Sequence, residues 1–192
     1  MVQLPNWAEF IYTYFAIQKI GAIVVMPIAR YAETELNHIC KLTGAAAWVV
    51  PQQYQKINYL PVIDNVLKHN PQLEHVVFVR RHDKTTKLPQ LEKMIDSSRL
   101  DSRNLSELVQ RRPNPDEIAH VGPTGGMTGL PKIVPHTSNS FVSRTEYFAR
   151  AWELCGHDRG FVCRDHKVRA LWPPYEEKTA SPSLCCRNLR QH

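Results

Sequence analysis

Nine consecutive residues, Thr124-Gly125-Gly126-Met127-Thr128-Gly129-Leu130-Pro131-Lys132, combine the groups needed to hold an anion. Glycine lets the backbone bend through positive φ and brings N–H groups up to a ligand with no Cβ in the way. Threonine hydroxyls and a lysine ammonium complement phosphate oxygens. The composition is that of a phosphate-holding loop, with Thr124, Gly125, Gly126, Thr128, Gly129 and Lys132 as the candidate binding residues. It does not fit the common nucleotide loop in which Gly-Lys runs directly into Ser or Thr, because Leu130 and Pro131 separate the last glycine from Lys132. A plain glycine turn between two strands is the competing reading.

The flanking elements suit a loop that must be presented. Pro113-Asn114-Pro115-Asp116 marks a break, and Glu117 to Gly122 reads as a strand delivering the loop. Ile133-Val134 reads as a short strand on the far side, and a helix is expected from Thr137 to Cys155. Phe141, Thr145, Phe148, Trp152 and Cys155 recur along it at three- and four-residue steps, which predicts one buried face. Glu146 and Arg150 are spaced to pair on another side. His136 reads as a solvated loop histidine.

Upstream, apolar strands alternate with helices. Val2 to Leu4 predicts a strand ended by Pro5, and Asn6 with Glu9 predicts a capped helix over Trp7 to Lys19, stopped by Gly21. Trp7, Phe10, Ile11, Tyr14 and Ile17 are expected in the core. Strands over Ala22 to Met26, Ala45 to Val50 and Glu74 to Val79 and helices over Ala32 to Thr43 and Tyr59 to Lys68 follow, the first of those helices ending at Gly44. Arg80-Arg81-His82-Asp83-Lys84 reads as a solvated charge run, and two short helices are expected around Leu91 and Leu105. Continuous apolar strands separated by helices predict an α/β fold with parallel β/α units. After Gly156 no period persists, so residues 1–155 are expected to form the ordered domain and 156–192 an irregular or disordered tail.

At the loop, the sequence resembles the adenylate-forming acyl- and aryl-AMP ligases, through Thr124, Gly125, Gly126, Thr128, Gly129, Pro131 and Lys132. The Gly-Gly form, with Pro135, Thr137 and Asn139 after it, is most similar to the branch that adenylates aryl acids such as 2,3-dihydroxybenzoate. Val2 to Phe10 and Lys19 to Ile23 are similar to an early strand and helix of that branch. Met127 departs from the pattern, standing where the family has Thr or Ser. The resemblance implies a partial parallel β/α sheet domain truncated at both ends, ATP and Mg²⁺ as cofactors, a small carboxylic acid as substrate, and coenzyme A or a carrier protein's phosphopantetheine as thiol acceptor. With the acid pocket and C-terminal lobe of such enzymes outside the chain, the fragment is expected to be inactive alone. A non-catalytic nucleotide- or partner-binding fragment is the alternative.

Composition narrows the field further. The 192 residues, 43% hydrophobic, suffice for a real core. No apolar run reaches membrane-spanning length and no secretory signal opens the chain, so a cytoplasmic protein without membrane partners is expected. The net charge of +6 is only weakly informative, because half of the excess falls in residues 156–192 and no basic stripe interleaves with aromatics. A nucleic-acid partner is therefore not expected. Five cysteines, odd in number and irregularly spaced, argue against a disulfide framework, and Cys155, Cys163 and His166 lack the spacing of a tetrahedral metal site.

Overall fold

The computed structural model describes residues 1–81, 88–97, 102–124 and 129–154. The chain divides into two compact units, Met1–Phe141 and Val142–His192. The tail expected over 156–192 and the cysteine–histidine group at Cys155, Cys163 and His166 lie outside the described residues. Among those described, no helix is long and apolar enough to cross a membrane.

In the first unit, helix α1 (Ala8–Lys19) leads to strand β1 (Val24–Val25), α2 (Glu33–Thr43) and β2 (Ala47–Pro51). A short hairpin, β3 (Gln53–Tyr54) and β4 (Ile57–Asn58), precedes α3 (Leu60–His69) and β5 (His75–Val79). Then come α4 (Leu91–Ser97), α5 (Ser102–Gln110), β6 (Ile118–Pro123), β7 (Ile133–Thr137) and α6 (Ser138–Ala151), the last crossing the unit boundary.

Strand β1 runs parallel to β6, and β2 runs parallel to β5 over five residue pairs from Ala47↔His75 to Pro51↔Val79. The extended segment Met1–Leu4 joins these two sheets. The Val2 N–H donates to Val25 O at 2.8 Å on one side, while Val49 N–H donates to Met1 O and Gln3 N–H to Val49 O, both at 2.9 Å, on the other. Hydrogen bonding thus continues from β7 through β6, β1, residues 1–4 and β2 to β5.

Side chains alternate across this sheet as the two-residue strand period requires. Val25, Trp48, Val50, Val76, Phe78 and Val121 join the core formed with Leu36, Ile39, Ile63 and Val66 of α2 and α3. Val24, Val49 and Val79 face the opposite way and join Val2 and Leu4, against which Trp7, Phe10, Tyr14 and Ile17 pack from α1 and its N-cap. Helices therefore cover both faces, which is the expected α/β arrangement, and sheet residues such as Trp48, Val50 and Phe78 are fully buried. Each such side chain contributes about 1.5–3 kcal/mol by leaving water.

Several local expectations change. β6 and β7 are antiparallel, so the sheet is mixed, and the β3–β4 hairpin has no counterpart in the sequence reading. Asn6 does not cap α1. Trp7 occupies the N-cap with no side-chain cap bond, its indole N–H being a donor that cannot accept from the helix, and the Glu9 carboxylate accepts from both Nε and Nη2 of Arg80 at 2.7 and 3.0 Å. Arg80 also lies 4.1 Å from the Trp7 ring centre, so it anchors α1 to the end of β5 and is more than a solvated charge. Ile11, expected in the core, is half exposed. The aromatic stripe of α6 is not buried either: Phe141, Phe148 and Trp152 are half or more exposed, since periodicity marks a face that favours cover without supplying the cover. In the second unit, Phe148 stacks on Trp152 and Arg150 pairs with Glu146 at 3.9 Å, as its spacing predicted.

Helix stops follow the sequence closely. At the end of α1, Gly21 sits at φ 76° while its N–H reaches Gln18 O and the Ala22 N–H reaches Ile17 O, the paired bonds of a Schellman end. A Cβ on Gly21 would meet the backbone oxygen of Arg111 at 2.9 Å, whereas one on Gly44, at φ 60°, would meet nothing within 4 Å. Gly44→Ala should therefore cost only the left-handed backbone penalty of roughly 1–2 kcal/mol. Gly21→Ala should cost more, since backbone must also move, and urea unfolding midpoints of the two variants check the order.

Partial burial pushes the Glu9 carboxyl upward, but the hydrogen bonds from Arg80 and the backbone, with the Arg80 charge, outweigh it and hold the group below its usual range. A carboxyl with a depressed folded pKa binds fewer protons folded than unfolded. The pair thus adds stability above the ordinary glutamate pKa of about 4.3 and loses it as pH falls through the folded value. Glu9→Gln should lower stability at pH 7 and flatten the acid limb of a melting-temperature profile between roughly pH 5 and 3.

Candidate functional site

The glycine-rich stretch is the turn between β6 and β7. Their register brings Pro123 opposite Ile133, Gly122 opposite Val134 and His120 opposite His136. Thr124 follows β6 directly and Lys132 precedes β7, and the Thr124 N–H donates to Lys132 O at 2.8 Å, with Thr124 Oγ1 3.5 Å from the same oxygen. Thr124 and Lys132 thus face each other across the neck of the turn, with Pro131 buried beside them and both side chains toward solvent. Gly129 is exposed, is not among the glycines at positive φ, and an added Cβ would meet nothing within 4 Å. Neither conformation nor packing within the described chain requires glycine there. Gly125, Gly126, Met127 and Thr128 lie outside the described residues.

A second clasp closes the hairpin at its other end. Asn139 donates its backbone N–H to Pro115 O at 3.0 Å and its side-chain Nδ2 to Asp116 Oδ1 at 2.6 Å. Thr137 caps α6, its Oγ1 accepting the Ser140 N–H at 3.1 Å, and Ser140 Oγ donates back to Thr137 O at 2.9 Å. These bonds tie the start of β6 to the end of β7, so the two strands reach the glycine turn as one clamped ribbon.

Under the ribbon lies a cluster that sequence reading missed. His120 is buried, its Nδ1 3.1 Å from the Tyr14 hydroxyl, which in turn accepts Gln18 Nε2 at 3.0 Å. Burial raises the Tyr14 pKa despite the Gln18 contact, so the phenol stays protonated and can donate to Nδ1. The His136 ring stacks on His120 with centres 5.0 Å apart, and Phe141 meets the His120 ring edge-on at 5.3 Å. His136 is therefore a strand residue in a ring stack and not a solvated loop histidine. The available signal was a histidine within the apolar run Ile118-Ala119-His120-Val121, a polar group that a buried strand must satisfy.

Chemically, the turn offers hydroxyl, ammonium and backbone N–H donors for an anion. Among the described residues no group of three His, Cys, Asp or Glu side chains could hold a metal ion.

Comparison with known proteins gives this arrangement a context. Residues 1–168 match the family model of the AMP-binding enzymes. The chain is 30% identical over 165 residues to a 2-hydroxy-7-methoxy-5-methyl-1-naphthoate–CoA ligase of Streptomyces carzinostaticus, covering 84% of this chain and 29% of that enzyme. It is 25% identical over 162 residues to the 2,3-dihydroxybenzoate-AMP ligase of Bacillus subtilis, covering 84% and 27%. Among solved structures, apo MbtA of Mycobacterium smegmatis is similar with a TM-score of 0.65 at 24% identity, covering 82% of this chain and 27% of that one. The structural likeness bears on the fold, and the chain spans a little over a quarter of the length of these curated relatives.

Thr137→Ala should remove the α6 cap and cost about 0.5–2 kcal/mol, while Thr137→Ser should retain most of it. Equilibrium urea unfolding of the three proteins measures the difference.

Proposed function

Because the chain belongs to the AMP-binding enzyme family, we propose that its β6–β7 turn holds the β- and γ-phosphates of ATP within an acid–thiol ligase. In that reaction a carboxylate oxygen bonds to the α-phosphorus, the bond to pyrophosphate breaks, and an acyl- or aryl-adenylate forms. A thiol of coenzyme A or a carrier-protein phosphopantetheine then attacks the acyl carbon, loses its proton and expels AMP. The relatives' names favour an aryl acid, and an ATP-consuming role favours a cytoplasmic address.

The observation that supports this reading is the closed neck of the turn: the 2.8 Å bond from the Thr124 N–H to Lys132 O holds Thr124 and Lys132 together at the two ends of the glycine-rich stretch. Hydroxyls of Thr124 and Thr128, N–H groups of Gly125, Gly126 and Gly129, and the Lys132 ammonium would bind the polyphosphate and offset charge as it moves onto pyrophosphate. A hydrogen bond to a charged group contributes about 1.5–3 kcal/mol. These are binding and orienting roles, with no covalent step through the protein. The described residues offer no cluster for Mg²⁺, so no step is assigned through it.

In-line attack gains roughly 7–11 kcal/mol only when acid, α-phosphate and nucleotide are held together. A turn that grips the terminal phosphates fixes one end of that arrangement, and the remaining contacts belong to the length of the relatives that this chain does not span. The isolated chain is thus inactive in adenylation. Met127, standing where the resembled loop has a hydroxyl residue, favours a second reading as a non-catalytic nucleotide-binding fragment.

An ATP–pyrophosphate exchange assay over a panel of aryl and aliphatic acids tests the assignment, with Lys132→Ala as control. Lys132 is exposed, so its truncation should change stability by no more than about 0.5 kcal/mol. The chain alone should give no acid-dependent exchange. Exchange that disappears in Lys132→Ala would contradict its inactivity while supporting the role of the turn, and exchange that persists in the variant would contradict that role.

A further inference from the structure

His120 and His136 stand directly opposite each other on neighbouring antiparallel strands, and their rings stack with centres 5.0 Å apart. The pair lies four residues before Thr124 on β6 and four after Lys132 on β7, so one short ladder runs from the stack to the neck of the glycine-rich turn. That ladder is short of backbone donors. Pro123 and Pro135 each occupy one of its rungs, and proline has no N–H to give. Side-chain contact at the stack therefore carries a larger share of what keeps β7 on β6 than it would in an ordinary ribbon.

The hydrogen-bond directions fix the protonation state that the closed stack requires. The Tyr14 oxygen accepts from Gln18 Nε2 at 3.0 Å, burial keeps the phenol protonated, and the acceptor for its one proton is His120 Nδ1 at 3.1 Å. Nδ1 is then bare and the ring neutral, with its proton on Nε2. A proton arriving at Nδ1 would set donor against donor, turn the hydroxyl away and leave an imidazolium at a position only 4% exposed. Facing His120 are Tyr14 from α1, Val24 from β1, His136 from β7 and Phe141 from α6. Of these Tyr14 and His136 ionise, and neither supplies negative charge near neutral pH. A second proton on His136 would add a like charge directly opposite, which destabilises a cross-strand pair.

We propose that the His120–His136 stack is a proton-sensitive clasp on the β6–β7 ribbon, closed while His120 is neutral and released when acid charges the pair, so that protons regulate how the turn between Thr124 and Lys132 is held. The sign follows from linkage. Opened to water, both rings bind protons below the ordinary histidine pKa of about 6.5, whereas the closed stack keeps one from His120, so the open form gains as pH falls through that value. Above it neither form is charged, and the clasp contributes its full stability. The clasp belongs to the frame of the turn and holds whether or not the turn takes phosphate.

Amide hydrogen exchange of the full 192-residue chain, followed by NMR and divided by the intrinsic rate at each pH, tests this. A range from about pH 7.5 to 5.5 brackets the ordinary histidine pKa. The Thr124 amide, bonded to Lys132 O, reports the neck of the turn, and the Val49 amide, bonded to Met1 O, reports the sheet away from the ribbon. Opening at Thr124 should be constant above about pH 7 and increase below about 6.5, approaching at least tenfold per pH unit as a proton is taken up on opening. Val49 should keep its protection over the same range. The double variant His120→Phe/His136→Phe, which keeps two aromatic rings and removes both titrating groups, should make Thr124 opening independent of pH. Nitrogen shifts of the unaltered chain's imidazoles give a check that needs no variant: at neutral pH His120 should carry its proton on Nε2 and none on Nδ1. Opening at Thr124 that ignores pH, a pH step that survives in the double variant, a step shared equally by Val49, or a proton on His120 Nδ1 at neutral pH would each overturn the proposal.

Discussion

The hydrogen bonds that seat residues 1–4 between β1 and β2 are the constraint on which the rest of the first unit depends. Val2 is fully buried, and its N–H pairs with Val25 O while the Met1 carbonyl and the Gln3 N–H pair with the backbone of Val49. A buried backbone group left unmatched costs as much as a lost hydrogen bond or more. The segment therefore fixes the spacing between β1, which carries β6, and β2, which carries β5. Gln3 extends the control, its buried amide donating to Ile28 O and Tyr31 O and holding the connection that leads into α2. Once that order is set, successive residues of β1, β2 and β5 fall alternately into the core beneath α2 and α3 and the core beneath α1.

The glycine turn inherits its position from this order. β6 is held by β1 on one edge and β7 on the other, and the ribbon is closed above by Thr124 with Lys132 and below by Asn139 with Asp116. The stacked His120 and His136 rings and the Tyr14 hydroxyl fill the space beneath it on the side facing α1. The glycine-rich stretch thereby leaves from a strand, β6, that is paired on both edges.

Much of this was legible in the sequence because it rests on local rules. Leu36, Ile39 and Cys40 mark the buried side of α2 by spacing alone, and Gly21 and Gly44 mark helix ends because only glycine takes those φ values cheaply. The strands of the two cores appear as apolar runs, and the β6 boundary follows from Pro113 to Asp116. What failed was non-local. Asn6 had the chemistry of a cap, but the helix takes Trp7 as its N-cap and Glu9 pairs with Arg80, seventy-one residues away. The antiparallel course of β7, the place of His136 on His120 and the β3–β4 hairpin are matters of pairing, on which residue period is silent. The exposed stripes on α1 and α6 belong to the same class: the sequence correctly marks apolar faces, and only the fold reveals which of them go uncovered.

For function, family membership and the residue types of the turn motivate the one proposal of a phosphate-holding role. Thr124 and Lys132 stand at the two ends of the glycine-rich stretch, joined by the bond from the Thr124 N–H to Lys132 O. The most direct measurement is a titration of inorganic pyrophosphate into the isotope-labelled chain, followed at its backbone amide resonances by NMR. Saturable shifts centred on Thr124, Gly125, Gly126, Thr128 and Gly129, weakened by Lys132→Ala, are the predicted result. No saturable shift at those amides, or shifts concentrated instead in the arginine-bearing residues 156–192, would contradict the assignment of the turn as the phosphate-holding site.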